Sequence, residues 1–320
     1  MIATRPRMRH LTNGSSVIPL IREAGLGGPI VAWDDVLHEG PVPAGLGTAA
    51  LRERRAEFLA SCGWGSRDSI ARDLATRDAA IEDLGNVDEV VLWFEHDLYD
   101  QLQLLQILDR LPLDGAPRLT AVPDDTYLGT LPASHYQGLF AARRDVTTAE
   151  RLAARDAWLV FRSPDPRVII AALPRLTVLP HLGPALRRHA EQFPSMRNGL
   201  SRTEQQALEV LAAGSSTAGD LYVKAHHGRE PAVFMGDAAF LMHLGALLQS
   251  SRPLIRTARA SKTLALDDHL GLTDDGRRVL DGQLDRVVTS GIDRWLGGVH
   301  LTGHGPMWRW DDATEALRFL

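Results

Sequence analysis

The sequence predicts an α/β protein in two parts: a Rossmann-like, mostly parallel sheet with flanking helices over residues 1–195, and a winged-helix-like domain over 196–320. Three observations predict it. Short apolar runs alternate with helical periodicity through the first half, the rhythm of βαβ units. A turn-rich stretch, Pro194-Ser195-Met196-Arg197-Asn198-Gly199, then interrupts the pattern. Beyond it come three helical segments, two short β runs and a helix opened by Leu272-Thr273-Asp274-Asp275-Gly276, the order of a winged helix.

In chain order, Met8–Leu11 reads as a strand, Val17–Ala24 as a helix and Ile30–Trp33 as a second strand. Helical stretches follow at about 48–61 and 66–84. Glu89–Phe94 is the clearest strand, with a helix over 98–111 behind it that is capped by Asp97 and buried along Leu98, Leu102, Leu105 and Leu108. Leu119–Val122 is the fourth strand. Residues 132–193 look helical between prolines. In the second half, Ser201-Arg202-Thr203-Glu204 is a capping box that opens a helix through Ala212. Helices over 218–225 and 232–248 follow, and Leu254–Arg256 and Thr263–Leu266 read as the two strands of a wing. At the end of the chain, Val299–Leu301 and Met307–Trp310 look like a hairpin turning at Gly303–Pro306.

The chain has 320 residues, a formal net charge of −5 and 23% charged residues, which fits a globular fold and gives no whole-chain affinity for nucleic acid. Of its 35 basic residues 33 are arginine, a bias that reads as codon composition beside the abundant Ala, Gly and Leu. One cysteine, Cys62, excludes an internal disulfide, a Cys-rich zinc module and a CxxC redox pair. The opening residues lack an apolar signal-peptide core and no membrane-length apolar run is present, so a cytoplasmic setting is expected.

Polar residues gather after three of the four strands of the first domain, where open parallel sheets bind ligands. Asn13, Gly14, Ser15 and Ser16 precede a helix and offer N–H groups and hydroxyls to a phosphate or carboxylate. Asp34, Asp35, His38 and Glu39 follow the second strand. Glu95, His96 and Asp97 follow the third, with Asp100 and Gln101 in the first turn behind them. A histidine among carboxylates suits general acid–base chemistry, so His38 or His96 would move a proton and Asp35, Glu95 or Asp97 would orient it or hold a metal. Gln101 joins Asn13, Gly14, Ser15 and Ser16 as a ligand contact. A metal centre from His10, Asp35, His38, Glu95 and His96 is a further option, although no HExxH spacing is present. No GxGxxG, P-loop or GxSxG motif occurs, and no cofactor is named by the residues.

From Gly199 to Leu320 the chain has 13 basic and 15 acidic residues, and the segment Phe234–Leu244 in the recognition-helix position carries no Arg or Lys. A DNA reader needs donors there. Only Arg252, Arg256, Arg259 and Lys262 make the wing basic. The tail, with Trp295, Trp308, Trp310, His300, His304 and Arg309, suits cross-strand packing, or a hairpin lending Arg309 or His300 to the first domain's crevice.

The segments HLTNGSS, WDDVLHEGPVP, LWFEHDLYDQLQLL, IDRWLGGVHL and WRWD resemble those of a bacterial family, domain of unknown function 1835, with the C-terminal extension found on many members. The resemblance spans nearly the whole chain. It implies a cytosolic bacterial protein and brings no established reaction. The expected function is therefore an enzyme or ligand binder holding a small anionic, phosphorylated or carboxylated, molecule at the strand ends, with metal assistance an option. The alternative is a winged-helix transcriptional regulator whose first domain senses a ligand. A homo-oligomer built through the apolar third helix and the Trp-rich tail is the remaining expectation.

Overall fold

A computed structural model describes residues 7–115, 117–258 and 263–320. The chain divides into two compact units, Met1–Arg162 with Ala172–Ala185, and Ser163–Ala171 with Leu186–Leu320.

The first unit runs β1 (Met8–Thr12), α1 (Ile18–Glu23), β2 (Ile30–Ala32), β3 (Gly40–Pro41), α2 (Thr48–Ser61), α3 (Arg67–Glu82), β4 (Glu89–Trp93), α4 (Leu98–Arg110), β5 (Arg118–Ala121), α5 (Tyr136–Ala141), β6 (Arg144–Asp145) and α6 (Thr148–Phe161). Its five-stranded sheet has the order β2-β1-β4-β5-β6. β1, β2, β4 and β5 are parallel, and β6 pairs antiparallel with β5 at the edge. β4 is buried at all five positions because it lies mid-sheet, which is why Val90–Trp93 is a continuous apolar run, and its one charged residue, Glu89, pairs with Arg143 at 2.7 Å. Val17, Ile21, Val91, Trp93, Val122, Leu128 and Tyr136 form one core of this unit. The strand order sets the location of the site. From β1 the chain moves to β2 on one side and then to β4 on the other, so the topological switch point lies between the ends of β1 and β4.

The helices α7 (Arg167–Ala172) and α8 (Leu182–Ala190) carry the chain across the division between the units. The second unit continues with α9 (Arg202–Ala213), β7 (Ser216–Thr217), α10 (Ala218–Leu221), α11 (Asp237–Leu248), β8 (Ile255–Thr257), β9 (His269–Leu272), α12 (Asp274–Leu280) and α13 (Arg286–Ser290). It ends with β10 (Ile292–Gly297), β11 (Val299–Gly303), β12 (Trp308–Asp311) and β13 (Ala316–Phe319). The capping box at Ser201 and Glu204 is present with both hydrogen bonds. Strands β7, β9 and β8 form one small antiparallel sheet. A second core gathers Phe193, Val287, Leu296, Leu301, Met307 and Trp310.

Two strand expectations change. The partner of Ile255–Thr257 is His269–Leu272, and the described part of 263–266 is irregular; Arg259 and Lys262 lie outside the described residues. The tail makes two hairpins. Val299–Gly303 pairs back onto β10, and Trp308–Asp311 pairs forward onto β13. The first turn is set by Gly297, whose φ of +58 suits a residue without a Cβ, so the chain reverses at Gly297-Gly298 before it reaches Gly303. Among the described residues no helix is long and apolar enough to cross a membrane.

Candidate functional site

The end of β4 and the start of α4 place three carboxyl groups at the switch point. Glu95, Asp97 and Asp100 are buried, and each offers one oxygen within 4.8 Å of the others. Local chemistry fixes them. Asp97 is the N-cap of α4, and its Oδ1 accepts from the Asp100 N–H at 3.1 Å. The Asp100 carboxylate accepts the Glu95 N–H and, at 3.1 Å, the Asn13 side-chain amide. Glu95 Oε1 accepts from the Leu128 N–H at 2.7 Å. Gln101 Nε2 donates to the Glu95 carbonyl at 2.7 Å and so clamps the turn.

Among the described residues no arginine or lysine pairs with any of the three, and burial therefore works against their charged forms. It raises Asp97 to about 7, against the Asp100 N–H bond and with the nearby Glu95 charge adding to the rise. Asp100 is pushed well above the ordinary carboxylate range by burial and then by the Asp97 and Glu95 charges. Burial also raises Glu95, opposed by the Leu128 N–H and the Asn13 amide. The Tyr136 hydroxyl, which donates to the Leu128 carbonyl at 2.9 Å, is pushed up to about 12 by burial and then by Glu95. Asn13 Oδ1 is buried and has no hydrogen-bond partner among the described residues. The site is thus three carboxyl groups with one positive charge or more to gain, either as shared protons or as a bound cation.

The other expected site residues fall into different places. His96 is half-buried, its Nδ1 lying 3.1 Å from the Asp124 carbonyl and its ring 4.9 Å from Tyr127 and 5.8 Å from His181. His181 Nε2 in turn lies 3.2 Å from Asp124 Oδ1. His38 is buried with its ring edge-on to Tyr99 at 5.9 Å. Asp35 is buried in ion pairs with Arg55 at 2.8 Å and Arg77 at 3.4 Å. Gly14 precedes a short turn that begins at Ser15, and Ser15 and Ser16 are exposed. A Cβ on Gly14 would stand 3.1 Å from Asp34 Oδ1, and burial raises the Asp34 carboxyl above its ordinary range, with the Ser15 N–H opposing the rise. The chain's own Asp34 carboxyl thus stands against the Asn13–Ser16 turn.

The five-residue metal centre of His10, Asp35, His38, Glu95 and His96 does not assemble. His10 accepts from Trp93 Nε1 at 3.0 Å through Nδ1 and bonds the Gly27 carbonyl at 3.1 Å through Nε2, so both ring nitrogens are committed. Asp35 is committed to arginines. Among the described residues, the donor set that converges is Glu95, Asp97 and Asp100. Arg309, expected as a packing or crevice residue, pairs with Asp285 at 3.0 Å within its own unit. His300 stacks on Trp295 at 4.4 Å and lies 2.8 Å from Asp293.

Asp100 was legible as the third residue after the Asp97 cap, although its carboxylate role was not. Asp124 follows the fourth strand, in the same strand-end position that marked the other clusters. Tyr127 and His181 carry no local signal, since His181 lies in a proline-broken stretch far from His96 in sequence. No family model matches the chain, and no curated protein matches it.

Proposed function

We propose that the first unit is an enzyme or ligand binder that holds a small phosphorylated or carboxylated molecule at the strand ends through a divalent cation. The observation that carries this reading is the set of three buried, mutually adjacent carboxyl groups at the switch point with no arginine or lysine paired to them among the described residues. An anion alone would meet like charge there, whereas a hard divalent cation takes carboxylate and amide oxygens. Glu95, Asp97 and Asp100 would hold the ion, and Asn13 Oδ1 is a further neutral donor beside them. His96, linked through Asp124 to His181, would transfer the proton. His38 and the Asn13–Ser16 turn would shape the pocket. This sheet order and site position support a Rossmann-like description of the unit, and a place in the bacterial family of domain 1835 rests on the resemblance of its sequence segments alone.

The test is calorimetric titration with Mg²⁺ and Mn²⁺ in chelator-treated protein, followed by a panel of phosphorylated and carboxylated small molecules. The reading expects cation binding that is lost in Glu95→Gln and Asp97→Asn, and a component of anion retention that appears only with the cation present. Anion retention that is unchanged in chelator contradicts it.

A winged-helix description of the second unit is supported by the sequence α9, β7, α10, α11, β8, β9 with the sheet order β7-β9-β8. Nucleic-acid binding is the less favoured use of that fold, because α11 carries no arginine or lysine. Salt-dependent DNA retention that falls in Arg256→Ala would favour it.

A further inference from the structure

The first unit has a polar cavity well away from the carboxyl cluster. It is lined by Arg52, Arg55, Arg77, Arg110 and Arg162, with Asp78 and Asp109 as its carboxylates. Asp100 sits in the first turn of α4 and Arg110 at its last residue, so at 1.5 Å per residue the two sites are about 15 Å apart along the helix.

The lining of the cavity carries more positive than negative groups. Asp78 is buried and pairs with three guanidinium groups at once: Arg52 at 3.1 Å, Arg77 at 3.1 Å, and Arg110 in close contact. Asp35 is shared between Arg55 and Arg77. Arg162 donates to the carbonyls of Pro43 and Leu46 at 2.7 and 2.8 Å, and no carboxylate among the described residues forms an ion pair with it. Among the lining residues five guanidinium groups thus stand against two carboxylates, Asp78 and Asp109, with Asp35, Asp34 and Glu82 as partners of Arg55, Arg77 and Arg110 outside the lining. Glu82, the other partner of Arg110, is 64% exposed and screened by water. A surplus of positive charge that is partly removed from water is costly unless an anion completes it.

The groups are also held ready. Arg77 and Arg110 lie over the Trp33 ring at 4.3 and 5.6 Å, and Arg162 over Trp158 at 5.5 Å, so their planes are fixed before any ligand arrives. Thr48, the first residue of α2, lines the same cavity and sets that helix's N-terminus at the rim. The free volume is about 40 Å³. One water needs roughly 10–15 Å³ by this measure, so the space suits about three waters or one compact oxyanion.

We propose that this arginine cavity is a binding site for a phosphate group, either the free ion or the terminal group of a phosphorylated metabolite whose body stays outside the mouth. Arginine is suited to it because its planar donors match phosphate oxygens in pairs.

The experiment is calorimetric and thermal-shift titration of the full chain with inorganic phosphate, against sodium chloride at matched ionic strength. Saturable binding is expected in the parent, weakened about tenfold or more in both Arg52→Gln and Arg162→Gln. Glycerol phosphate that competes assigns the site to esters, and glycerol phosphate that fails to compete assigns it to the free ion. The titrations are run in chelator, which separates this site from the cation-dependent one proposed at the carboxyl cluster, and phosphate binding that requires added Mg²⁺ overturns the proposal. A chloride effect equal to that of phosphate overturns the proposal. So does undiminished phosphate binding in the two arginine variants, each checked for a parent-like circular dichroism spectrum.

Discussion

Asp97→Asn removes one ionisable group from the carboxyl cluster while keeping the shape of the side chain and its cap. Asparagine is as good an N-cap as aspartate, so the bond to the Asp100 N–H survives. What changes is the proton balance. In the folded protein Asp97 holds its proton up to about 7, whereas 3.8 is its ordinary value. Between those pH values the folded state binds more protons than the unfolded one, so the stability of the parent falls as pH rises through that window and levels off above it. A shift of about three pK units corresponds to about 4 kcal/mol at pH 8 and to less than about 1 kcal/mol at pH 4. Asp97→Asn, which has no such group, should therefore be more stable than the parent by up to that amount at pH 8, with the gain nearly gone at pH 4. Urea denaturation of both proteins at the two pH values, in chelator, measures this directly. An equal gain at both pH values, or none at pH 8, would refute the assignment of a buried, unpaired carboxyl group at this position.

Other substitutions test the scaffold. Arg55→Ala leaves the buried Asp35 carboxylate with Arg77 alone, at 3.4 Å, and should cost up to about 3–5 kcal/mol in urea denaturation at neutral pH. Gly40→Ala places a Cβ 2.3 Å from the Phe58 ring at a φ of +77, so it should lower the melting temperature markedly, and an unchanged value would show that the ring can move aside. Gly276→Ala puts a Cβ into the Leu254 carbonyl and should loosen the entry to α12, read as faster amide exchange over Asp274–Leu280.

The strand-end clusters were visible in the sequence because a parallel sheet places the residues after each strand on one edge. Glu95 and Asp97 were found that way, and the order β2-β1-β4 brings them beside Asn13. What sequence distance hides is which partner satisfies each group. Asp35 reads like a site residue until Arg55, twenty positions on, is seen to take it. His10 reads like a ligand until Trp93 and Gly27 occupy its ring. The Asn13–Ser16 turn reads like an anion site, and no local pattern tells that the Asp34 carboxyl stands against Gly14. The arginine bias is the converse case. Taken as background composition, it conceals that five of these residues line one cavity, because helices α2, α3, α4 and α6 meet only in three dimensions. In the tail, the turn-rich GHGP segment outweighed Gly297-Gly298 in the sequence, while the register of β10 and β11 depends on the latter.

The most direct test of the carboxyl cluster as a cation site is the unfolding free energy of the parent and of Asp97→Asn across a Mn²⁺ or Mg²⁺ titration at pH 8. A bound cation replaces the protons the cluster would otherwise hold, so the parent should gain stability with the logarithm of cation concentration, about 2.7 kcal/mol at a hundred times its Kd. The variant should gain far less. Parent and variant curves that rise together, or a parent that does not respond at millimolar cation, would contradict the account.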